Sequence, residues 1–122
     1  MTGVSVSVNE LEQQLANAKM LVERRDRALR LSSNPDFRAI ILDEFCTTEA
    51  ARYVQASADP ALSDRDQANA LALAQASGHL RRYLSVIMQM GNVAESNLIE
   101  LQEAIEAERA EKDPKVFTKI HL

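Results

Sequence analysis

Between Asp64 and Lys112 the chain carries one apolar stripe with very few interruptions. It reads Ala70, Leu73, Ser77, Leu80, Leu84, Ile87, Gly91, Ala94, Leu98, Leu101 and Ile105, in alternating steps of three and four. Such spacing is the heptad signature of a helix that lays one seam against another helix. No proline interrupts it, so a single helix of roughly 70 Å is expected at 1.5 Å per residue. Ser77 and Gly91 weaken the stripe, and Gly78 and Gly91 each cost about 1 kcal/mol relative to Ala. Met90-Gly91-Asn92 is where such a helix would bend. Ser63 offers a cap for the first free N–H groups, and Asp64 and Asp66 suit the positive end of the helix dipole.

A second, shorter stripe lies upstream. Leu11, Leu15, Ala18, Val22, Arg25 and Leu29 follow the same spacing. They predict a helix from about Glu10 to Leu31, with Asn9 as cap and Glu12 reaching back to it. Antiparallel packing of the two helices would bury both seams. Between them, Asn34-Pro35 starts a helix that buries Phe37, Ile40, Ile41 and Phe45 and ends near Cys46. Thr47-Thr48-Glu49 resembles a further cap, opening a short helix to Ser57 with Ala51 and Val54 inward and Tyr53 alongside. One bent element and two separate ones both fit this stretch. Asp59-Pro60 marks a turn.

The ends read differently. Residues 1–8 alternate Val and Ser, which suits an extended arm. After Asp113-Pro114 comes KVFTKIHL, too short to fold alone. The expected organisation is an arm at 1–8, a helical domain at 9–112 and a tail at 113–122. The expected fold is all-α: an antiparallel helical hairpin or coiled coil with a long C-terminal helix, two short connecting helices and extended terminal arms. The apolar residues of the arms, Val4, Val6, Val8, Val116, Phe117, Ile120 and Leu122, are the candidate partner-binding positions.

Composition agrees with helices. Hydrophobic residues make up 46% and aromatics 4%, with three Gly and three Pro among 122 residues. A helical chain this small buries a limited core, so association with other copies of itself is expected. The net charge of −4 argues against nucleic acid as the default partner. The N-terminus has no basic region followed by an apolar stretch, so no signal peptide is read there. No run approaches the roughly 18 apolar residues of a membrane span, so no membrane contact is expected. Cys46 is the one cysteine, which excludes an internal disulfide.

Candidate chemistry is sparse. His79 and His121 are the only histidines and have no Cys or carboxylate at ligand spacing, whereas a metal site needs several converging ligands. Cys46 lies among Phe45, Ile41 and Thr47 without a base within a helical turn, so a small buried hydrophobe is expected rather than a nucleophile. No phosphate-binding glycine loop or hydrolase motif is present. No catalytic residue, cofactor or metal is expected. The acidic run Glu100, Glu103, Glu106, Glu108 and Glu111 reads as a solvated helix face. Arg24, Arg25, Arg27 and Arg30, with Arg81 and Arg82, form a candidate basic patch. Glu23 and Asp26 interrupt it, so an acidic partner or a neighbouring copy fits better than phosphates. Met20, Met88 and Met90 add adaptable apolar surface, and Met88 and Met90 cannot both face one seam.

Two blocks carry a resemblance. Asn34-Pro35-Asp36-Phe37-Arg38-Ala39-Ile40-Ile41-Leu42 with Glu49-Ala50-Ala51-Arg52-Tyr53-Val54 is one. Gly78-His79-Leu80-Arg81-Arg82-Tyr83-Leu84 with Gly91-Asn92-Val93-Ala94-Glu95 is the other. Over residues 34–110 the chain resembles small helical proteins encoded among the structural genes of tailed bacteriophages. The resemblance implies a virion component, in many copies on the head or at the head–tail (portal) junction, acting with capsid or portal proteins. The alternative is an assembly chaperone or scaffolding-type protein, which the sequence favours less because such proteins tend to be longer and more charged. Location would be the virion, and the host cytoplasm during assembly. It brings no catalytic residues. A nucleic-acid-associated role through the arginines is a further alternative.

Overall fold

The computed structural model describes residues 7–112, and all of its regular elements are helical. Five helical segments follow one another: α1 (Val8–Ser33), α2 (Pro35–Phe37), a π-helix (Arg38–Glu49), α3 (Ala50–Ser57) and α4 (Asp64–Lys112). The protein is all-α, with no strand among the described residues. Val4, Val6, Val116, Phe117, Ile120, Leu122 and His121 lie outside the described residues. Val8 is the first residue of α1 rather than part of an arm.

The start of α1 corrects the expected cap. Ser7, not Asn9, accepts the Glu10 N–H on its Oγ, at 3.1 Å. Ser-x-x-Glu is the capping-box spacing, and it sits two residues earlier than the Asn9–Glu12 reading. The other caps form where expected. Asn34 Oδ1 accepts from the Asp36 and Phe37 N–H groups at 2.9 and 3.0 Å, with Pro35 first in the helix. Ser63 Oγ accepts from Asp66 N–H at 3.1 Å. Asp59 makes the predicted turn, its carboxylate accepting from Ala61 N–H at 2.9 Å.

Thr47 and Thr48 do not start a helix. Each hydroxyl donates to the carbonyl five residues back, on Leu42 and Asp43, at 3.0 and 3.3 Å. Residues 35–57 therefore run on as one helical stretch whose hydrogen-bond register widens between Arg38 and Glu49. A π-helix bonds i to i+5, so each residue turns the chain by less than in an α-helix. Ile41 stays near the face of Phe37, while Ile40 swings off it and is 57% exposed, against the expectation of burial. In α3 Ala50, Tyr53, Ala56 and Ser57 are half-buried, whereas Ala51 and Val54 are exposed, against the expectation. The inward face continues the sequence Phe45, Glu49, Tyr53 set by the π-helix.

The described chain divides into two compact units. The first combines α1 up to Arg25 with α4 from Gln89, and the second comprises Asp26–Met88. Helix α4 passes through Met90-Gly91-Asn92 without interruption. In the first unit α1 and α4 run antiparallel, since Glu12 pairs with Arg109 while Arg25 pairs with Glu95. Its seam buries Leu11, Ala18, Ala94 and Ile105 as the heptads predict.

In the second unit the seam of α1 moves over by one position. Ala28 is buried and Leu29 is exposed, the reverse of the expected order. A step of three replaces a step of four there, which locally rotates the contact stripe. The early part of α4 turns its small residues inward. Ala70 and Ser77 are buried, Ala74 is half-buried and Leu73 stands outside. Small side chains let the π-helix come close, and Cys46 Sγ reaches 3.7 Å from the Ser77 carbonyl. Cys46 is buried, as its neighbours predict.

Candidate interaction surface

Gly91 and Arg25 define how closely α1 and α4 approach in the first unit. A methyl group built on Gly91 would overlap the Arg25 Cβ and lie 2.8 Å from its Cγ. The Arg25 stem therefore lies across the glycine, and its head reaches over α4 to Asn92 Oδ1 at 2.9 Å and Glu95 at 2.5 Å. Its side chain is only 13% exposed. An arginine fits a seam in this way because its stem packs while its guanidinium finds acceptors at the edge.

Two arginines of the candidate basic patch have partners in the structure. Arg25 is an internal strut and offers no free charge. Arg81 is occupied too, donating to Thr47 Oγ1 at 2.7 Å and to the Leu42 carbonyl at 3.3 Å in the second unit. Arg24 belongs to the first unit, and Arg27, Arg30 and Arg82 belong to the second. These four are exposed. Sequence spacing alone grouped six arginines; the fold spends two of them on packing.

Beside the Arg25 strut, the first unit holds an open apolar groove of about 880 Å³. Helix α1 lines it with Gln14, Asn17, Ala18 and Leu21, and α4 with Met90, Val93, Asn97 and Leu101. Val93 is 56% exposed and Met90 41%. The sequence places at least one of Met88 and Met90 off the seam, and Met90 is the more exposed of the two, but the groove as a whole was missed. Met90, Val93, Asn97, Glu100 and Ala104 repeat in steps of three and four. Two polar members hid this second stripe. Glu12 and Arg109 form an ion pair at a smaller hollow lined also by Leu15 and Ile105.

Comparison of the chain with protein-family models, with curated proteins and with solved structures finds no match.

Further apolar side chains are open to solvent away from the groove. In the first unit Met20 and Ile99 are each 65% exposed. In the second, Leu29, Leu31, Ile40, Val54, Leu71 and Tyr83 are exposed. No large side chain among the described residues is fully buried. No group of three or more His, Cys, Asp or Glu among the described residues is placed to hold a metal ion, and His79 is exposed. No described helix is long and apolar enough to cross a membrane. Chemically, the surface offers apolar area edged by amides and scattered charge, which suits packing against other protein.

Proposed function

We propose that this chain is a non-enzymatic assembly protein that works in many copies, by packing its helices against other protein chains, within the particle of a tailed bacteriophage. One observation carries the assembly part of this reading. Among the described residues, large apolar side chains stand exposed on both units while none is fully buried. Isolated exposed apolar residues are ordinary on a monomer. Here they recur along every long element, as expected of a subunit that completes its burial in a larger assembly. Support for the phage particle comes from the resemblance of residues 34–54 and 78–95 to small helical proteins of phage structural gene clusters. Capsid or portal proteins and other copies of the chain are the partners this reading implies.

Mass spectrometry of purified particles from the encoding phage tests the reading. Presence at many copies per mature particle is the expected result. Presence only in immature particles would assign the chain to scaffolding instead, and absence from both would end the phage reading.

A further inference from the structure

We propose that the apolar groove of the first unit packs against the same groove of a second copy, about a two-fold axis that crosses α4 at Asn97. This rests on the reading of the chain as a self-associating assembly protein, and names the surface that associates. The α4 positions that line the groove centre on Asn97. A two-fold there sets each position opposite the one equally far beyond Asn97 in the other copy. Met90 then meets Ala104, and Val93 meets Leu101. Large against small at facing positions lets two apolar faces interdigitate. Asn97 meets itself. Its amide both donates and accepts, so two copies satisfy each other, and a single polar residue in an apolar seam fixes the register.

The charges of this face select the antiparallel order. Arg25 pairs with Asn92 and Glu95, and Glu12 with Arg109, so Leu21 stands level with Asn97 across the unit. Leu21 therefore meets Leu21 of the other copy. Arg24 is exposed and lies on the α1 stripe of Asn17 and Leu21, one turn beyond them. Glu100 is exposed on the groove, on the opposite side of Asn97. The two-fold carries Arg24 of each copy to the level of Glu100 of the other, so the charge match forms twice. A guanidinium has five N–H donors, enough to add this carboxylate to the contact Arg24 already makes. A two-fold running along the helices would instead set Glu100 level with Glu100 and Met90 level with Met90. The antiparallel contact closes on itself, because both copies use the same patch. Met20 and Ile99 do not line the groove and stay open for further contacts.

Crossed disulfide trapping in the full chain tests the register. Met90→Cys protein is mixed with Ala104→Cys protein, so no chain carries both and a bond between positions 90 and 104 must link two copies. Met90 is exposed and Ala104 half-buried, and circular dichroism checks that both variants keep their helices. In this register positions 90 and 90 lie about 21 Å apart along α4, too far for a disulfide. Mild oxidation is expected to give the 90–104 bond at about tenfold or more over the 90–90 and 104–104 bonds. Peptide mass spectrometry separates it from any bond to Cys46. An excess of 90–90, equal yields of all three, or no bond between chains would each overturn the proposal. Sedimentation of the unsubstituted chain separates the two readings. Self-association without the 90–104 bond overturns this interface alone, whereas a 13.6 kDa monomer throughout overturns the assembly reading with it.

Discussion

Two glycines in α4 make the clearest contrast at the level of single residues. A Cβ on Gly78 would meet nothing within 4 Å, whereas on Gly91 it would collide with the stem of Arg25. The same substitution should therefore act in opposite directions. Gly78→Ala is expected to stabilise the protein by about 1 kcal/mol through helix propensity. Gly91→Ala is expected to destabilise it by about 1–3 kcal/mol, because the helices must move apart. Urea midpoints of the two variants check this, and a shift of the same sign in both would contradict it. Ser77 follows the same logic. It is 3% exposed, its hydroxyl donates to the Ala74 carbonyl at 2.7 Å, and Cys46 presses on its backbone. Ser77→Leu makes the heptad stripe more regular yet should cost about 1–3 kcal/mol by overpacking. Apolar periodicity scores these positions as defects because it counts hydrophobicity. Close approach of two backbones leaves no hydrophobic mark, only a small residue at the right place.

The elements were legible to different degrees. Helix α4 was readable as one long element, since a heptad stripe without proline has one natural reading, although Leu73 of that stripe stands outside. Helix α1 was readable except at its cap and its last turn, where Ser7 competes with Asn9 and Ala28 with Leu29. The π-helix was not readable at all. Its threonines look like a cap because Ser and Thr hydroxyls compete with backbone bonding wherever a helix begins. Here those hydroxyls satisfy carbonyls in a wider register, and Arg81 fastens that register from α4. Arg81→Ala should leave Thr47 and Leu42 without this donor. Amide exchange over residues 38–49 is then expected to quicken about tenfold, with α1 protected as before. Unchanged exchange would mean that the π-helix holds itself. At the other end of the chain, Ser7→Ala should cost about 1 kcal/mol and fray the first turn of α1, whereas Asn9→Ala should cost much less.

For the whole molecule, the thinness of the core is the governing feature. Four of its buried apolar residues, Ala18, Ala28, Ala70 and Ala94, contribute little area each. The all-α class and the seam positions other than Leu29 and Leu73 were visible in the sequence. The division into two units, the groove and the loss of two arginines to packing were not, because each depends on which side of a helix meets which neighbour. If exposed apolar surface drives assembly, charge placed there should weaken association and leave the helices intact. Met20→Lys with Ile99→Lys changes two residues that make no seam contact, and circular dichroism should show full helicity while self-association falls. The most direct test of the account is sedimentation equilibrium on the purified full chain over a wide concentration range. The account predicts a mass that is a multiple of the 13.6 kDa chain. A single species of 13.6 kDa at every concentration would contradict it.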